Sequence, residues 1–489
     1  MDRRSPRRRA RHPLIFPMRS RSLLLATFVL AATGPLSAQI QRDGPIKAAY
    51  TQFCANCHGA NLQGGTAPSM LDDVWAHGGD DESLMRSIRT GFPEKGMPAW
   101  GAALPEKEIR AMVIFIREQR EKAAREQVPV AKPADSIVVK SQLHDYQLNT
   151  WVGGLTEPWG MTFLPDGRAL VTEKRGRLYV VADGKLSQPI AGVPWVDFDQ
   201  QAGLYDIVPH PDYARNGWLY FAYSDPQLNA AGLRVSLTRI MRAKLSGNAL
   251  VEQQTIFQAP VSVYPNAGGV HFGGRIAFDR AGYLFFTIGE RGTGTNAQNL
   301  AVPMGKVHRL FDDGRVPEDN PFVKDAKAVP SVWSYGHRNP QGLVTDPVSG
   351  ALYEIEHGPR GGDELNRIQP GRNYGWPVIT YGMEYDGRAI TDNPVKEGME
   401  QPVTYWVPSI APGGMSFYTG DLFPKWKNHL FVAALVVQEL RRLELKDGKV
   451  VAQETLFKDI GRVRHILTGP DGALYVLLPN RIARMAPAP

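Results

Sequence analysis

Apolar residues between residue 145 and the end of the chain fall into short runs that are separated by turn-forming residues. Each repeated unit has Gly and an apolar residue, a short strand, a turn with Asp, Pro or Gly, and then a strongly apolar strand. Short apolar runs bounded by such turns are typical of β-strands. The copies lie at 159–172, 203–222, 274–288, 342–355, 414–433 and 466–478.

The spacing of these copies, roughly 45 to 75 residues, predicts an all-β six-bladed propeller over residues 145–489. A β-sandwich with extra hairpins is the alternative. Propeller sites lie in the loops at one end, near the central channel, so polar residues at corresponding blade edges are expected to meet. The candidates are Gln201, His271, Glu290, Arg338, Asn339, the 357–364 loop, Arg462 and Arg464.

Glycines surround one of these candidates. His271 lies between the glycine pairs 268–269 and 273–274, which leave room for a ligand or another backbone to come close. The apolar run 283–288, a predicted buried strand, ends shortly before Glu290. His271 is therefore a candidate general base, and Glu290 is a candidate to orient it. The alternative is a surface histidine in a flexible loop.

A helical pattern precedes the propeller. Pro105 opens a segment whose apolar residues recur at the spacing of one helix face, which predicts a helix over 105–123. The apolar positions are Ile109, Met112, Val113 and Ile116. Charged residues, Pro129 and Pro133 follow. We therefore predict a small all-α domain at 43–122 and a linker at 123–144.

The only two cysteines, Cys54 and Cys57, are followed directly by His58. This C-x-x-C-H pattern is typical of covalent haem c attachment, in which the thiols bond the haem and the histidine binds the iron. A redox disulfide or part of a zinc site is the alternative, although a second ligand pair is missing from the sequence.

A sixth iron ligand is expected downstream. Met97 lies in a Gly-Met-Pro loop that suits a ligand held by rigid backbone, and Met70 and His77 are the alternatives. The order of haem motif, methionine loop and final helix resembles the small class I cytochromes c.

Composition is that of an ordinary globular protein, with 43% hydrophobic and 21% charged residues. The formal charge of +7 comes from residues 1–38, which carry eight Arg and one Asp. The remainder is close to neutral, so the charge gives no reason to expect nucleic-acid binding.

The N-terminus has the pattern of an export signal, assigned to residues 1–38. An Arg-rich stretch precedes the apolar run 23–32, and Leu36-Ser37-Ala38 offers a small-residue cleavage site. We expect a periplasmic or secreted protein that starts at Met1 or Met18. Membrane association is expected only if this segment is retained as an anchor.

Several short motifs occur in order along residues 150–489. They are Gln201-Ala202-Gly203-Leu204, His271-Phe272-Gly273-Gly274-Arg275, Gly289-Glu290, Gly336 to Gly342, Glu356-His357-Gly358-Pro359 with Asp363-Glu364, Asn373 to Pro377, and Gly461-Arg462-Val463-Arg464. In sequence and in order these stretches resemble the soluble PQQ-dependent sugar dehydrogenases, the family of soluble glucose dehydrogenase and aldose sugar dehydrogenase.

The resemblance implies a role for each matched residue. His271 would be the general base that takes the sugar hydroxyl proton, and Arg338 would stabilise the developing oxyanion. The remaining assignments are Glu290 and Gln201 for positioning, and Asn339, Arg462 and Arg464 for binding PQQ, a quinone with three carboxylates.

The resemblance also implies calcium. The carbonyls of Gly358 and Pro359 would hold a calcium ion that binds PQQ, and Asp363, Glu364 and the Tyr374 carbonyl would form a second, structural site. Glu290 fits the aldose sugar dehydrogenase branch. Val436 departs from the family, because some members have a cofactor-binding lysine at that position.

We therefore expect an exported quinohaem oxidoreductase that oxidises an aldose sugar or related alcohol, with electrons passing from PQQ to the haem and then to an outside acceptor. The alternatives are a calcium-dependent propeller lactonase or hydrolase, and a non-catalytic propeller that docks a partner. Nothing in the sequence names the sugar, the terminal acceptor or the oligomeric state.

Overall fold

The computed structural model describes residues 44–127 and 133–489. The predicted export signal at 1–38, both candidate start residues and Pro129 of the predicted linker lie outside the described residues.

Helices are concentrated in the segment 44–127, which we call the N-terminal helical domain. The described helices are α1 (Gly44–Phe53), α2 (Ala55–His58), α3 (Asp81–Thr90), α4 (Glu106–Gln127) and the short α5 (Tyr213–Asn216). The Asp80 carboxylate caps α3 by accepting the N–H of Ser83 at 2.8 Å. Among the described residues, no helix is both long and apolar enough to cross a membrane.

Helix α4 is buried on all sides along its first half. Its sequence predicts a single apolar face, but every residue from Ile109 to Ile116 is buried, including the charged Arg110. A helix covered all round has neighbours on both faces. Here α1 and α3 pack on it within the helical domain, and propeller residues such as Met383 join the same core. The helix also continues to Gln127, so the predicted linker begins inside it.

The rest of the described chain forms six antiparallel sheets. The first three complete sheets contain β3 (Pro158–Phe163), β4 (Ala169–Glu173), β5 (Arg177–Ala182) and β6 (Lys185–Leu186); β7 (Leu204–Pro209), β8 (Trp218–Leu228), β9 (Arg234–Ser246) and β10 (Ala249–Phe257); and β11 (Ile276–Phe278), β12 (Leu284–Ile288), β13 (Lys306–Leu310) and β14 (Val332–Tyr335).

The next two sheets repeat the same four-stranded pattern. They contain β15 (Pro340–Thr345), β16 (Leu352–Glu356), β17 (Asp363–Ile368) and β18 (Thr404–Trp406); and β19 (Pro412–Phe417), β20 (Leu430–Ala434), β21 (Glu439–Lys446) and β22 (Lys449–Phe457).

Both ends of the propeller segment meet in the sixth sheet, which closes the ring. Its strands, in spatial order, are β1 (Val138–Val139), β2 (Tyr146–Gly153), β25 (Arg481–Pro487), β24 (Leu474–Leu478) and β23 (His465–Thr468). Tyr146 pairs with Pro487 across β2 and β25. Strand β1 lies within the predicted linker, which therefore ends as part of this sheet.

The innermost strands of the six sheets, β3, β7, β11, β15, β19 and β23, contact one another in sequence around the ring. The predicted six-bladed propeller with an N-terminal helical domain is therefore confirmed. The core lies between the sheets, where aromatic residues such as Trp159, Tyr205 and Phe272 pack across neighbouring blades.

Candidate functional site

The candidate site residues lie at one end of the propeller for a topological reason. Gln201, His271, Asn339 and Arg464 all come just before an innermost strand, namely β7, β11, β15 and β23. Glu290 and the 357–363 loop follow the antiparallel second strands β12 and β16. The beginning of a first strand and the end of its antiparallel partner share one edge of a sheet, so all these residues converge.

His271 and Glu290 form a buried pair. Nδ1 of His271 is hydrogen-bonded to Oε1 of Glu290, and the backbone N–H of His271 donates to Oε1 of Gln201 at 2.8 Å. His271 has a left-handed φ of 58°. A Cβ at Gly289 would lie 2.4 Å from the His271 carbonyl oxygen, which explains the glycine before Glu290. The structure therefore brings together the base and the orienting acid that the sequence predicts.

The environment of His271 favours its neutral form. Burial lowers the pKa of His271, the hydrogen bond that Nδ1 donates to Glu290 opposes this shift, and the positive charge of Arg338 adds to it. Because a carboxylate accepts hydrogen bonds, Nδ1 carries the proton. Nε2 of the neutral ring then has a lone pair available to take a proton.

A cavity of about 280 Å³ adjoins this pair through Gln201 and Phe272, whereas His271, Glu290 and Arg338 are not among its lining residues. Its lining includes four predicted site residues, Gln201, Asn339, Arg462 and Arg464. The remaining lining residues are Glu157, Trp159, Lys174, Gln200, Tyr205, Phe272, Gly273, Gln341, His357 and Leu435. Three cationic side chains against one carboxylate make the cavity suited to an anionic ligand.

Arg464 is one of the residues that line this cavity. It donates through Nη1 to Oε1 of Gln341 at 3.3 Å. Burial, with repulsion from Arg275 and Arg462, lowers the pKa of Arg464. A ligand carboxylate here would relieve both effects by supplying a countercharge. The donor set therefore fits a tricarboxylate such as PQQ.

Arg338, which precedes the cavity residue Asn339, is bonded to the loop at 357–363. Its Nη1 donates to the carbonyl oxygen of Gly358 at 2.7 Å and to that of His357 at 3.2 Å. Its guanidinium lies over the ring of Trp376 at 5.1 Å. The Gly358 carbonyl, assigned by resemblance to calcium, thus already accepts one hydrogen bond, and a carbonyl oxygen has a second lone pair.

The 357–363 loop is tightly folded around Asp363. A Cβ at Gly358 would lie 2.3 Å from the carbonyl oxygens of Gly361 and Gly362, so only glycine fits there. The Gly358 N–H donates to Oδ1 of Asp363 at 2.9 Å. The same carboxylate accepts the N–H groups of Ile410 and Ala411. Burial raises the pKa of Asp363 to about 6, although the hydrogen bonds from these N–H groups lower it.

The predicted calcium site that pairs Asp363 with Glu364 needs correction. Both residues belong to β17, and successive strand residues point to opposite faces of a sheet. Asp363 turns toward the 357–363 loop, and its carboxylate accepts hydrogen bonds from backbone N–H groups. This carboxylate therefore stabilises the shape of the loop. Glu364 lies on the other face and pairs across the strands with Glu356.

Glu364, itself half-buried, adjoins two buried acids, Glu354 and Glu356. Nδ2 of Asn366 lies 3.3 Å from carboxylate oxygens of Glu354 and Glu356 and 3.5 Å from one of Glu364. Burial and mutual repulsion raise the pKa of Glu354 and of Glu364. Oε1 of Glu354 and Oδ1 of Asn366 have no hydrogen-bond partner among the described residues. Hard oxygen ligands of this kind fit calcium.

Two further residues adjoin the acid cluster. His337, Glu354 and Glu356 lie close enough together to hold one ion. The ring of Tyr374, whose carbonyl was assigned to calcium, stacks on His337 with the ring centroids 4.7 Å apart. The predicted ligands Glu364 and Tyr374 thus lie in one region, which also contains acids that the sequence did not single out.

A second cavity, of about 290 Å³, lies in the N-terminal helical domain. Cys54, Cys57, His58, Met70 and Met97 all line it. Nδ1 of His58 donates to the Pro68 carbonyl at 3.2 Å, which leaves Nε2 available for a metal. Two thiols, one imidazole nitrogen and a thioether around one cavity fit a covalently attached haem.

Of the three candidates for the sixth iron ligand, the two methionines line the cavity and the histidine does not. His77 stacks on Phe92 with centroids 3.8 Å apart and does not line the cavity. Met97 is held by backbone pairing with Phe92 after Gly96, whose φ is 82°. Met70 also lines the cavity, so both methionines remain positioned for the role.

Sequence reasoning missed several residues of the propeller cavity. Gln341 and His357 lie inside the matched stretches but were given no role. Lys174 follows β4 and carries no sequence signal, although it supplies the third cation. Val436 does not line the cavity, whereas its neighbour Leu435 does.

Comparison with known proteins covers both parts of the chain. Residues 155–486 match a family model described as Glucose / Sorbosone dehydrogenase. Residues 43–116 match one described as Cytochrome C oxidase, cbb3-type, subunit III. The aldose sugar dehydrogenase YliI of Escherichia coli is 42% identical over 329 residues, which are 66% of this chain and 87% of the relative.

Solved structures agree with these sequence matches. The apo form of the soluble aldose sugar dehydrogenase from Escherichia coli is 38% identical, with a TM-score of 0.65, covering 70% of this chain and 100% of that one. The PQQ-bound form of aldose sugar dehydrogenase from Streptomyces coelicolor is 28% identical, with a TM-score of 0.57, covering 73% of this chain and 99% of that one.

Proposed function

The chain belongs to the glucose/sorbosone dehydrogenase family and carries an N-terminal cytochrome c domain, and on this premise we propose that it is an exported, PQQ-dependent sugar dehydrogenase that reduces its own haem. Its substrate is an aldose sugar or a related alcohol. The observation that carries the proposal is the buried pair of His271 and Glu290 beside a cavity with three cationic side chains.

The cavity residues would bind the cofactor. PQQ, when bound, supplies a two-electron acceptor for the hydride of the sugar carbon. Arg462, Arg464 and Lys174 offer charge-assisted hydrogen bonds to its three carboxylates. Lys174 would thereby supply a cationic partner within the cavity, which Val436 does not line.

The proton of the oxidised hydroxyl goes to Nε2 of His271. Glu290 fixes the ring through Nδ1 and stabilises the imidazolium that forms. The guanidinium of Arg338, held by the carbonyls of residues 357 and 358, provides positive charge where the substrate oxygen becomes negative. Gln201 holds the backbone of His271 through its side-chain oxygen.

Calcium is part of the proposal at two places. The Gly358 and Pro359 carbonyls would hold one ion next to the cofactor. Glu364, with Glu354 and the Asn366 carbonyl oxygen, would hold a structural ion, because burial and repulsion between carboxylates raise the pKa of both acids and a bound cation would relieve that repulsion.

The haem would be attached to Cys54 and Cys57 and bound by His58 and Met97. When bound, it supplies a one-electron acceptor in the same chain, at an effective concentration that a free partner rarely reaches. The two electrons of each sugar oxidation would leave through the haem one at a time to an external acceptor. Haem attachment and the Arg-rich, apolar N-terminus favour a periplasmic or secreted location.

The test is to load the full protein with PQQ and calcium, add a panel of aldoses, and follow the reduction of the haem absorption band. Reduction that needs the sugar, PQQ and calcium together supports the proposal. Hydrolysis of lactones without haem reduction would identify a propeller hydrolase instead. Absence of any turnover with PQQ bound would leave a docking propeller as the function.

A further inference from the structure

The N-terminal helical domain directly contacts the 357–363 loop of the propeller. Arg360, in the middle of the 357–363 loop, makes a bidentate ion pair with Glu118 of α4. Nε of Arg360 lies 3.0 Å from Oε1 of Glu118, and Nη2 lies 2.6 Å from Oε2. Glu118 is 8% exposed and Arg360 is 9% exposed, so the pair is shielded from solvent.

Other contacts show that this face is a packed interface. The Arg110 guanidinium, 1% exposed, donates to the carbonyl oxygen of Thr380 at 3.3 Å. Met383 is fully buried in the core of the helical domain, although it belongs to the propeller chain segment. A Cβ at Gly387 would lie 2.8 Å from the side chain of Ile46 in α1.

The propeller segment around Met383, which contacts the helical domain, pairs through its backbone with the 357–363 loop. The N–H of Arg360 donates to the carbonyl of Met383 at 2.9 Å, and the N–H of Met383 donates to the carbonyl of Arg360 at 3.0 Å. A Cβ at Gly382 would lie 2.4 Å from the Gly361 carbonyl oxygen. The loop is thus held from one side by the interface and from the other by Asp363 and Arg338.

We propose that Glu118 is a positioning residue for the dehydrogenase site: through Arg360 it fixes the 357–363 loop in the shape that presents the Gly358 and Pro359 carbonyls to calcium and PQQ. The helical domain is then a structural part of the sugar-oxidising site as well as the carrier of the haem. The inference rests on the proposed function for the role of this loop in cofactor binding.

The chemistry of the pair explains why it has this effect. A bidentate carboxylate–guanidinium pair fixes direction as well as distance, unlike a contact between point charges. The Gly358 carbonyl lies only two residues from Arg360 and accepts a hydrogen bond from Arg338. A rotation of the loop at Arg360 therefore moves a proposed calcium ligand and the guanidinium that bonds to it.

The experiment is a calcium titration of PQQ binding to the full, haem-loaded protein, followed by the absorbance of bound PQQ. Replacement of groups that orient metal ligands lowers metal affinity by about 10–100-fold. We expect Glu118→Gln to raise the calcium midpoint by about this factor, with the haem spectrum and reduction potential unchanged. The control is Arg117→Gln, which breaks an ion pair with Asp81 inside the helical domain, and we expect a shift below about twofold.

A second variant protects the test against misfolding. Arg360→Lys keeps the charge but loses the bidentate geometry, so the calcium midpoint should rise in the same direction by a smaller factor. A wild-type midpoint in Glu118→Gln or in Arg360→Lys would overturn the inference, and so would an equal shift in Arg117→Gln. If the wild-type protein itself binds no PQQ, the proposed function fails first and the inference fails with it.

Discussion

Glu290→Gln is the most informative change in the site, because it removes a charge and keeps the shape. The amide oxygen can still accept a hydrogen bond from the Nδ1–H group of His271, so the ring stays oriented. A hydrogen bond to a charged group contributes about 1.5–3 kcal/mol, and a neutral one about 0.5–1.5 kcal/mol. The imidazolium formed in the transition state therefore loses about 1.4 kcal/mol, which lowers the rate about tenfold.

The pH dependence provides a second, independent signature. The base works when it is neutral, so activity is lost as the pH falls through the pKa of His271. Burial lowers that pKa from 6.5, so the acidic limb of kcat/KM should lie below pH 6.5. Glu290 raises the pKa against burial. Removing its charge should move the acidic limb to still lower pH.

The assay is sugar-driven haem reduction in protein saturated with PQQ and calcium, measured across pH. His271→Gln, which removes the base, should lower the rate by about 10²–10⁴-fold at every pH. Haem reduction by a small chemical donor is the control and should be unchanged in both variants. An acidic limb that moves to higher pH in Glu290→Gln, or a full rate in His271→Gln, would refute the assigned roles.

The other predictions concern the ligands of the three proposed cofactors. Met97→Ala should keep the covalent haem but lower its reduction potential, because a methionine ligand raises it; if Met70→Ala has this effect instead, the ligand is misassigned. Exhaustive chelation should abolish PQQ binding while the haem spectrum persists, and full binding after chelation would exclude calcium. Glu364→Gln should lower the melting temperature in calcium and have less effect in chelator, whereas equal shifts would argue against a structural ion. Arg464→Gln should weaken PQQ binding by about 10–100-fold, the value of one charged hydrogen bond, while Lys174→Gln should have a smaller effect because its side chain also bonds to a backbone carbonyl.

Chemistry confined to a few neighbouring residues could be predicted from the sequence. Cys54, Cys57 and His58 are brought to one cavity by a single turn of chain, so their spacing alone indicates the ligand set. His271 and Glu290 are farther apart, but both lie where an antiparallel pair of strands shares an edge. Their meeting follows from the strand pattern once the fold is recognised.

Adjacency in sequence misled the prediction at Asp363 and Glu364. Two neighbouring acids suggest one ion when the backbone is taken as a turn. In a strand the same two side chains point to opposite faces, and each finds a separate role. The acids that do accompany Glu364 are ten and eight residues earlier, on the paired strand β16.

The contacts between the helical domain and the propeller could not be predicted from the sequence. Glu118 and Arg360 are 242 residues apart in the chain. A charged residue on α4, such as Arg110, is expected on the solvent-exposed face of the helix. Arg110 is instead buried and bonded to a propeller carbonyl. Such burial depends on how two folded units meet, which local periodicity does not encode.

The closing sheet has a consequence for biosynthesis. Strand β2 is made early and strand β25 is made last, yet the two pair along their whole length. Until β25 has been made, the ring is open and β2 pairs only with the two-residue strand β1. Exposed strand edges pair readily with other chains, so removal of β25 would expose the edges of β2 and β24 and favour aggregation.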